Sequence, residues 1–182
     1  MSDCHFDKAS HTYTLRGVRV PSVTQILQAE GFTHPYKGNG AANRGTQVHK
    51  ITAAMDRWEP HTVPEELKGY YLAYQNWQAE FPLTFTHIEI PIVNEIKYFA
   101  GTPDRIAMTG EVIDIKTGQP EVSHQLQTAG YLRLHESIKA RWCLYLHEDS
   151  TYDYVQNVDD NDHRVFDNAL YNFQWKRRNG IK

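Results

Sequence analysis

The 182 residues are 40% hydrophobic and 23% charged, a balance that excludes a disordered chain and suits one well-buried domain rather than two. The net charge of -3 gives no global attraction to nucleic acid and argues against a nonspecific nucleic-acid coat, so any such contact must come from local basic patches. Two cysteines, Cys4 and Cys143, exclude a four-cysteine cluster and, without a secretory signal, point to a reducing, cytoplasmic setting; no apolar run approaches the roughly 18 residues of a membrane span.

In chain order, His5 to Val20 predicts a hairpin, with HTYTL and VRV as strands around Arg16-Gly17. Ser22 can cap a helix that Gly31 ends, with Val23, Ile26 and Leu27 as its core residues. Thr33 to Asn43, containing Pro35, Gly38 and Gly40, reads as a loop delivering the next helix. On that helix Val48, Ile51, Met55 and Trp58 form a buried stripe, with His49 beside it. Arg44 and Lys50 are either solvated helix charges or phosphate contacts.

Pro64 to Phe81 predicts an aromatic helix whose Tyr70, Tyr71, Tyr74, Trp77 and Phe81 are mostly core, with one or two rings open to stacking on bases. Thr86 to Val93 alternates as a strand alongside the hairpin that follows. Its acidic residue, Glu89, faces away from Ile88 and Ile90, as a cleft residue or as a plain surface glutamate.

The stretch FAGTPDRIAMTGEVIDIKTG, from Phe99 to Gly118, concentrates the chemistry. Arg105 to Thr109 and Val112 to Lys116 are β-prone runs joined at Gly110, and Thr102-Pro103 breaks the chain before Asp104. Strand alternation sends Ile113 and Ile115 to the core and Asp114 and Lys116 to the other face. Asp104 on the neighbouring strand can then share one divalent cation with Asp114, beside the Lys116 amine. Two close carboxylates repel unless a cation compensates them, and carboxylate and carbonyl oxygens suit Mg²⁺ or Mn²⁺. A solvated, salt-bridged hairpin would have much the same sequence.

A helix from about Val122 to Ile138 places Gln127 and Tyr131 on one face. Arg141 to His147 and Tyr152 to Val155 read as strands around a Glu148-Asp149-Ser150 turn. A last helix, about Asp160 to Arg177, ends in Trp175-Lys176-Arg177-Arg178. That basic end is either a DNA-backbone patch or a cation-rich C-terminus of the kind the helix dipole favours.

Gly101-Thr102-Pro103-Asp104 followed by Asp114-Ile115-Lys116-Thr117-Gly118 resembles the core signature of the PD-(D/E)XK nuclease superfamily. Arg44-Gly45-Thr46-Gln47-Val48-His49 and Gln127-Thr128-Ala129-Gly130-Tyr131 are similar to the histidine helix and Gln-x-x-x-Tyr motif of its RecB-type branch, in the same order. Pro21 to Leu27 resembles the start of small phage exonucleases and of mitochondrial genome maintenance exonuclease. Some relatives in the branch carry an iron-sulfur cluster on four cysteines, which this chain cannot.

The resemblance implies an α/β fold: a single PD-(D/E)XK nuclease-like domain over residues 1–182, with a central mixed β-sheet flanked by helices. Residues 1–43 would form a flap or cleft wall, and 44–131 would carry the motifs. It implies that His49, Asp104, Asp114 and the backbone carbonyl of Ile115 hold one or two Mg²⁺ or Mn²⁺ ions, with Glu89 as a secondary ligand. Lys116 would position the attacking water, and Gln127 and Tyr131 would position Lys116 or a phosphate. The implied activity is metal-dependent hydrolysis of single- or double-stranded DNA from a free end, in phage-type recombination, replication or repair, in the host cytoplasm if phage-encoded. A recombination or replication protein could recruit it. A structure-selective endonuclease and a nonenzymatic DNA-binding or recombination partner on the same fold are the alternatives. Neither HExxH nor GxSxG occurs, which leaves no zinc-protease motif or serine nucleophile elbow.

Overall fold

The computed structural model describes residues 4–33 and 39–181. Three short strands, β1 (Cys4–Asp7), β2 (Thr12–Leu15) and β3 (Val18–Val20), form an antiparallel sheet at the N-terminus. The predicted hairpin is its β2–β3 half, turned at Arg16 and Gly17, both in the left-handed backbone region that a two-residue turn demands. β1 escapes the pattern because it pairs only across a longer turn. Helix α1 (Val23–Ala29) opens with a reciprocal cap: the Ser22 hydroxyl accepts from the Gln25 N–H at 3.1 Å, and the Gln25 carboxamide accepts from the Ser22 N–H at 3.1 Å.

Helix α2 (Asn39–Asp56) starts inside the segment expected to be a loop, so only 34–38 of that expectation lies outside the described residues. The helix also ends sooner than the hydrophobic spacing suggested. Val48 and Ile51 are buried, but Trp58 lies past the end with φ 56° and is 94% exposed, so its ring never joins the stripe. A single 3-10 turn, Glu65–Leu67, leads into α3 (Lys68–Glu80), which buries Tyr70, Tyr74 and Trp77. Gly69 is required where α3 meets the turn at Glu148: a Cβ there would lie 1.6 Å from the Glu148 carbonyl oxygen.

The remaining elements are β4 (Phe85–Ile88), β5 (Ile92–Asn94), β6 (Phe99–Gly101), β7 (Arg105–Ala107), β8 (Glu111–Lys116), α4 (Val122–Leu132), β9 (Ala140–Leu146), β10 (Tyr152–Gln156) and α5 (Asn161–Arg178). The main sheet has the order β10-β9-β8-β7-β4. Only β8 and β9 run parallel, joined by the α4 crossover, so the sheet is mixed. The single strand expected over Thr86 to Val93 is two: β4 pairs with β7 in the main sheet, whereas β5 pairs with β6 in a separate ribbon. The break falls at Glu89, whose φ is 51°. α4 ends at Leu132, short of the predicted Ile138, because Arg133 and Leu134 close its last turn with hydrogen bonds to Gly130 and Tyr131.

Helices cover both sheet faces. Ile113 and Ile115 pack with α2 and α3, while Val112 packs with α1, α4 and α5. Strand alternation therefore turns Asp114 and Lys116 toward α4. No helix among the described residues is long and apolar enough to cross a membrane.

Candidate active site

Four elements converge at the C-terminal half of β8. His49 comes from the middle of α2, Glu89 from the break after β4, Asp104 from the residue before β7, and Asp114 and Lys116 from β8 itself. Asp104 is held from both ends. Its Oδ2 accepts the Ile115 N–H at 2.6 Å, and its Oδ1 lies 3.1 Å from His49 Nδ1. The other imidazole nitrogen, Nε2, is 3.0 Å from the Ile115 carbonyl oxygen. Donation by Nε2–H to that carbonyl leaves the Nδ1 lone pair facing the carboxylates.

The break at Glu89 aims its side chain into the same space. The Glu89 N–H donates to the Asp104 carbonyl at 3.0 Å, and its Oε1 comes within 3.9 Å of His49 Nδ1. Oε1 is buried without a hydrogen-bond partner among the described residues. A non-glycine residue in the left-handed region costs on the order of 1–3 kcal/mol, a strain found where function fixes a side chain. Ligand atoms of His49, Glu89 and Asp104 all lie within 4.8 Å of one another. Two carboxylates and one imidazole, with one oxygen lacking any donor, fit a hard divalent cation such as Mg²⁺ or Mn²⁺.

Asp114 stands outside this trio and faces Lys116, whose Nζ is 2.7 Å from Asp114 Oδ2. The ammonium also donates to Gln127 Oε1 at 3.0 Å, and Gln127 Nε2 donates to the Tyr131 hydroxyl at 2.8 Å. A continuous polar chain thus runs from β8 down one face of α4.

Comparison with solved structures finds an alkaline exonuclease, LHK-Exo, from Laribacter hongkongensis at TM-score 0.56 and 15% identity, covering 87% of this chain and 77% of that one. The chain shares the fold of this exonuclease. LHK-Exo in complex with dAMP matches at TM-score 0.53 and 13% identity, over 89% of each chain. A phage-related exonuclease from Haemophilus somnus 129PT overlaps less, at TM-score 0.47 and 11% identity, over 80% of this chain and 73% of that one. No family model and no curated protein matches the sequence.

Within the nuclease fold the charges at the site are strongly interdependent. Burial, then the neighbouring Asp104 charge, push the Asp114 carboxyl up to about 6 despite Lys116. Burial acts the same way on Asp104, but His49 and Lys116 outweigh it and hold its pKa below the usual carboxylate value. Burial opposes protonation of His49 and Lys116, and the two carboxylates more than reverse it in each. A divalent cation among these groups would relieve the carboxylate repulsion directly.

Two clefts of the nuclease fold meet at Thr24, Gly45 and His49. One, of about 380 Å³, is lined by Lys50, Glu89, Asp104 and Tyr131 together with Lys8, His11 and Tyr13 of the N-terminal sheet. The other, of about 530 Å³, reaches Lys116, Gln127 and His124. Lys50 is thus at a cleft rim. Arg44 lies below it, donating to the Thr117 carbonyl at 3.3 Å with its guanidinium 5.7 Å from the Tyr70 ring centroid. The basic end of α5 lines neither cleft. Lys176 pairs with Glu30 at 2.7 Å, Arg177 donates to the Arg19 carbonyl at 2.9 Å, and Arg178 is exposed. The aromatic rings of α3 line neither cleft; Tyr70, Tyr74 and Trp77 are core.

Sequence reasoning passed over Arg105 and Thr52, which are buried next to the trio, and Asp56, whose side chain is buried against Arg105. A charge in a short strand and another at a helix end look like surface residues. Only the fold brings them together.

Proposed function

We propose that this chain is a divalent-metal-dependent deoxyribonuclease that removes nucleotides from a DNA end. The observation that carries the reading is the buried, unbonded Glu89 Oε1 facing His49 and Asp104 in a fold shared with exonucleases. His49, Glu89 and Asp104 would hold Mg²⁺ or Mn²⁺, with Asp114 and the Ile115 carbonyl next to them and room for a second ion left open. Such a cation supplies a Lewis acid for a phosphoryl oxygen and lowers the pKa of a nearby water.

The protein's own part follows from the polar chain on β8 and α4. Asp114 and Gln127 fix the Lys116 ammonium from two sides, so that it can orient the attacking water and stabilise charge developing on the phosphate. Tyr131 holds the Gln127 amide in the orientation that offers Lys116 its oxygen. Lys8 and Lys50 at the rim would meet backbone phosphates and offset the acidic centre. The N-terminal sheet and α1 then serve as the cleft wall of one 182-residue unit. The complex of LHK-Exo with dAMP supports deoxynucleotides as the ligand class. The setting we assign is DNA recombination, replication or repair in the cytoplasm.

The test is cleavage of labelled linear single-stranded, linear double-stranded and closed circular DNA with Mg²⁺, Mn²⁺ or chelator, for wild type and Lys116→Ala. Degradation of linear DNA alone, only with metal and lost in the variant, is the expected result. Cutting of circles would replace the exonuclease by an endonuclease. A folded wild type that binds DNA and cuts nothing would leave a binding module.

A further inference from the structure

Arg105 is fully buried beside Asp104, and Asp56 is nearly so. Taking such charges out of water is expensive, and apolar residues of similar size would fill the same space at no such cost. The guanidinium lies between the rings of Tyr74 and Phe85, 6.0 Å from each centroid, which compensates part of the desolvation. Its hydrogen bonds show what the charge is used for. Nε donates to Asp56 on α2, Nη2 donates to the Thr52 hydroxyl one turn earlier at 3.0 Å, and Nη1 donates to the Asp104 carbonyl at 2.7 Å.

Two of those acceptors, the Thr52 hydroxyl and the Asp104 carbonyl, lead to all three members of the trio. The Thr52 hydroxyl donates to the His49 carbonyl at 3.2 Å. The Asp104 carbonyl that Arg105 holds also accepts the Glu89 N–H at 3.0 Å. Asp56 is anchored in turn to α3 through Tyr74 at 2.7 Å and Gln78 at 2.6 Å. One planar fork therefore joins α2, the break after β4 and the start of β7, the elements that carry His49, Glu89 and Asp104.

We infer that Arg105, with Asp56 and Thr52, is the positioning device of the metal site: it sets the separation of His49, Glu89 and Asp104 without touching the ion or the substrate. The inference rests on the metal-dependent reading above. A small divalent ion demands ligands at nearly fixed distances, so freeing α2 from β7 degrades the site even when the fold survives. Residues that hold ligands in place typically change metal affinity by roughly 10–100-fold.

The experiment is calorimetric titration of the full-length protein with Mn²⁺, alongside thermal unfolding. The double variant Asp56→Leu with Arg105→Met replaces the buried pair by apolar side chains, a change that often leaves stability intact or raised. We expect wild-type unfolding temperature or higher, with Mn²⁺ affinity down at least tenfold. Arg105→Lys keeps the charge but loses the fork, and is expected not to restore affinity. Should the double variant not fold, Thr52→Val deletes a single bridging hydroxyl and is expected to weaken Mn²⁺ binding severalfold. Unchanged affinity in a folded double variant, or in Thr52→Val if that is the variant measured, overturns the positioning role and leaves the metal site standing. A wild type that binds no Mn²⁺ overturns the metal reading and this inference together.

Discussion

Replacing Asp114 and Lys116 together, Asp114→Asn with Lys116→Met, is expected to abolish cleavage and to stabilise the metal-free protein. Asp114 is 1% exposed, and burial followed by the Asp104 charge raises its pKa from the ordinary 3.8 to about 6. At about 1.4 kcal/mol for each tenfold change in the proton equilibrium, ionised Asp114 costs the fold about 3 kcal/mol. The sign follows from linkage. Because the folded-state pKa is the higher one, the cost is absent below about pH 4, grows as pH rises toward 6 and is complete above it. Neutral residues of similar size in place of a buried pair are typically neutral to about 4 kcal/mol stabilising, which agrees with this figure. The assay is urea unfolding in chelator at steps from pH 4 to pH 8. His49 and Asp104 titrate in both proteins, so most of their effect drops out of the difference. The advantage of the variant should be smallest at pH 4 and larger by about 3 kcal/mol at pH 7. A difference that stays flat with pH, or a variant less stable at pH 7, refutes the reasoning.

Gln127→Leu deprives Lys116 of an acceptor and is expected to lower kcat by about 10–100-fold, the range for groups that hold an active residue, while costing only about 1 kcal/mol in thermal unfolding. Tyr131→Phe removes one hydroxyl further along and should lower kcat less; steady-state kinetics on one oligonucleotide compares the two. Glu89→Gln keeps the shape and removes the charge, so Mn²⁺ binding measured by electron paramagnetic resonance should weaken at least tenfold, a scale set by losing a charged ligand. Gly130→Ala would place a Cβ 2.6 Å from Phe166 Cε2 and 2.7 Å from Val23 Cγ1. Overpacking there should lower stability by about 1–3 kcal/mol in denaturant titrations.

The sequence carries most clearly whatever is local. The β7–β8 hairpin, the Ser22 cap and the spacing of Gln127 and Tyr131 depend on neighbours a few residues away, and turn and periodicity rules reach that far. The errors lie where tertiary contacts overrule a local pattern. Alternation ran straight through Glu89, because nothing in the spacing of FTHIEIP announces a left-handed residue at which the strand changes sheets. Trp58 fits a helical stripe by count, yet the helix ends two residues before it. At the site, His49, Asp104, Asp114 and Lys116 were legible as candidates through motif order, and Glu89 through its strand face and its place before the core strands. Arg105, Asp56 and Thr52 were not, since their meaning arises from a junction of α2, α3 and β7 that lies 49 residues apart in sequence at its ion pair.

The α4 crossover has a kinetic side. Asp114, Lys116, Gln127 and Tyr131 all belong to the contiguous β8–α4 segment, so their contacts close short loops at small entropic cost. His49 reaches the same place from far upstream, through a contact with Ile115 that closes a loop of 66 residues. The loop lengths predict that the lysine relay forms as an early, local unit of folding, whereas the trio of His49, Glu89 and Asp104 is complete only after α2 has docked. Local opening of α2 alone would extinguish the trio while the sheet and the relay stay intact, so the site's availability is governed by the stability of one helix docking rather than by that of the whole protein.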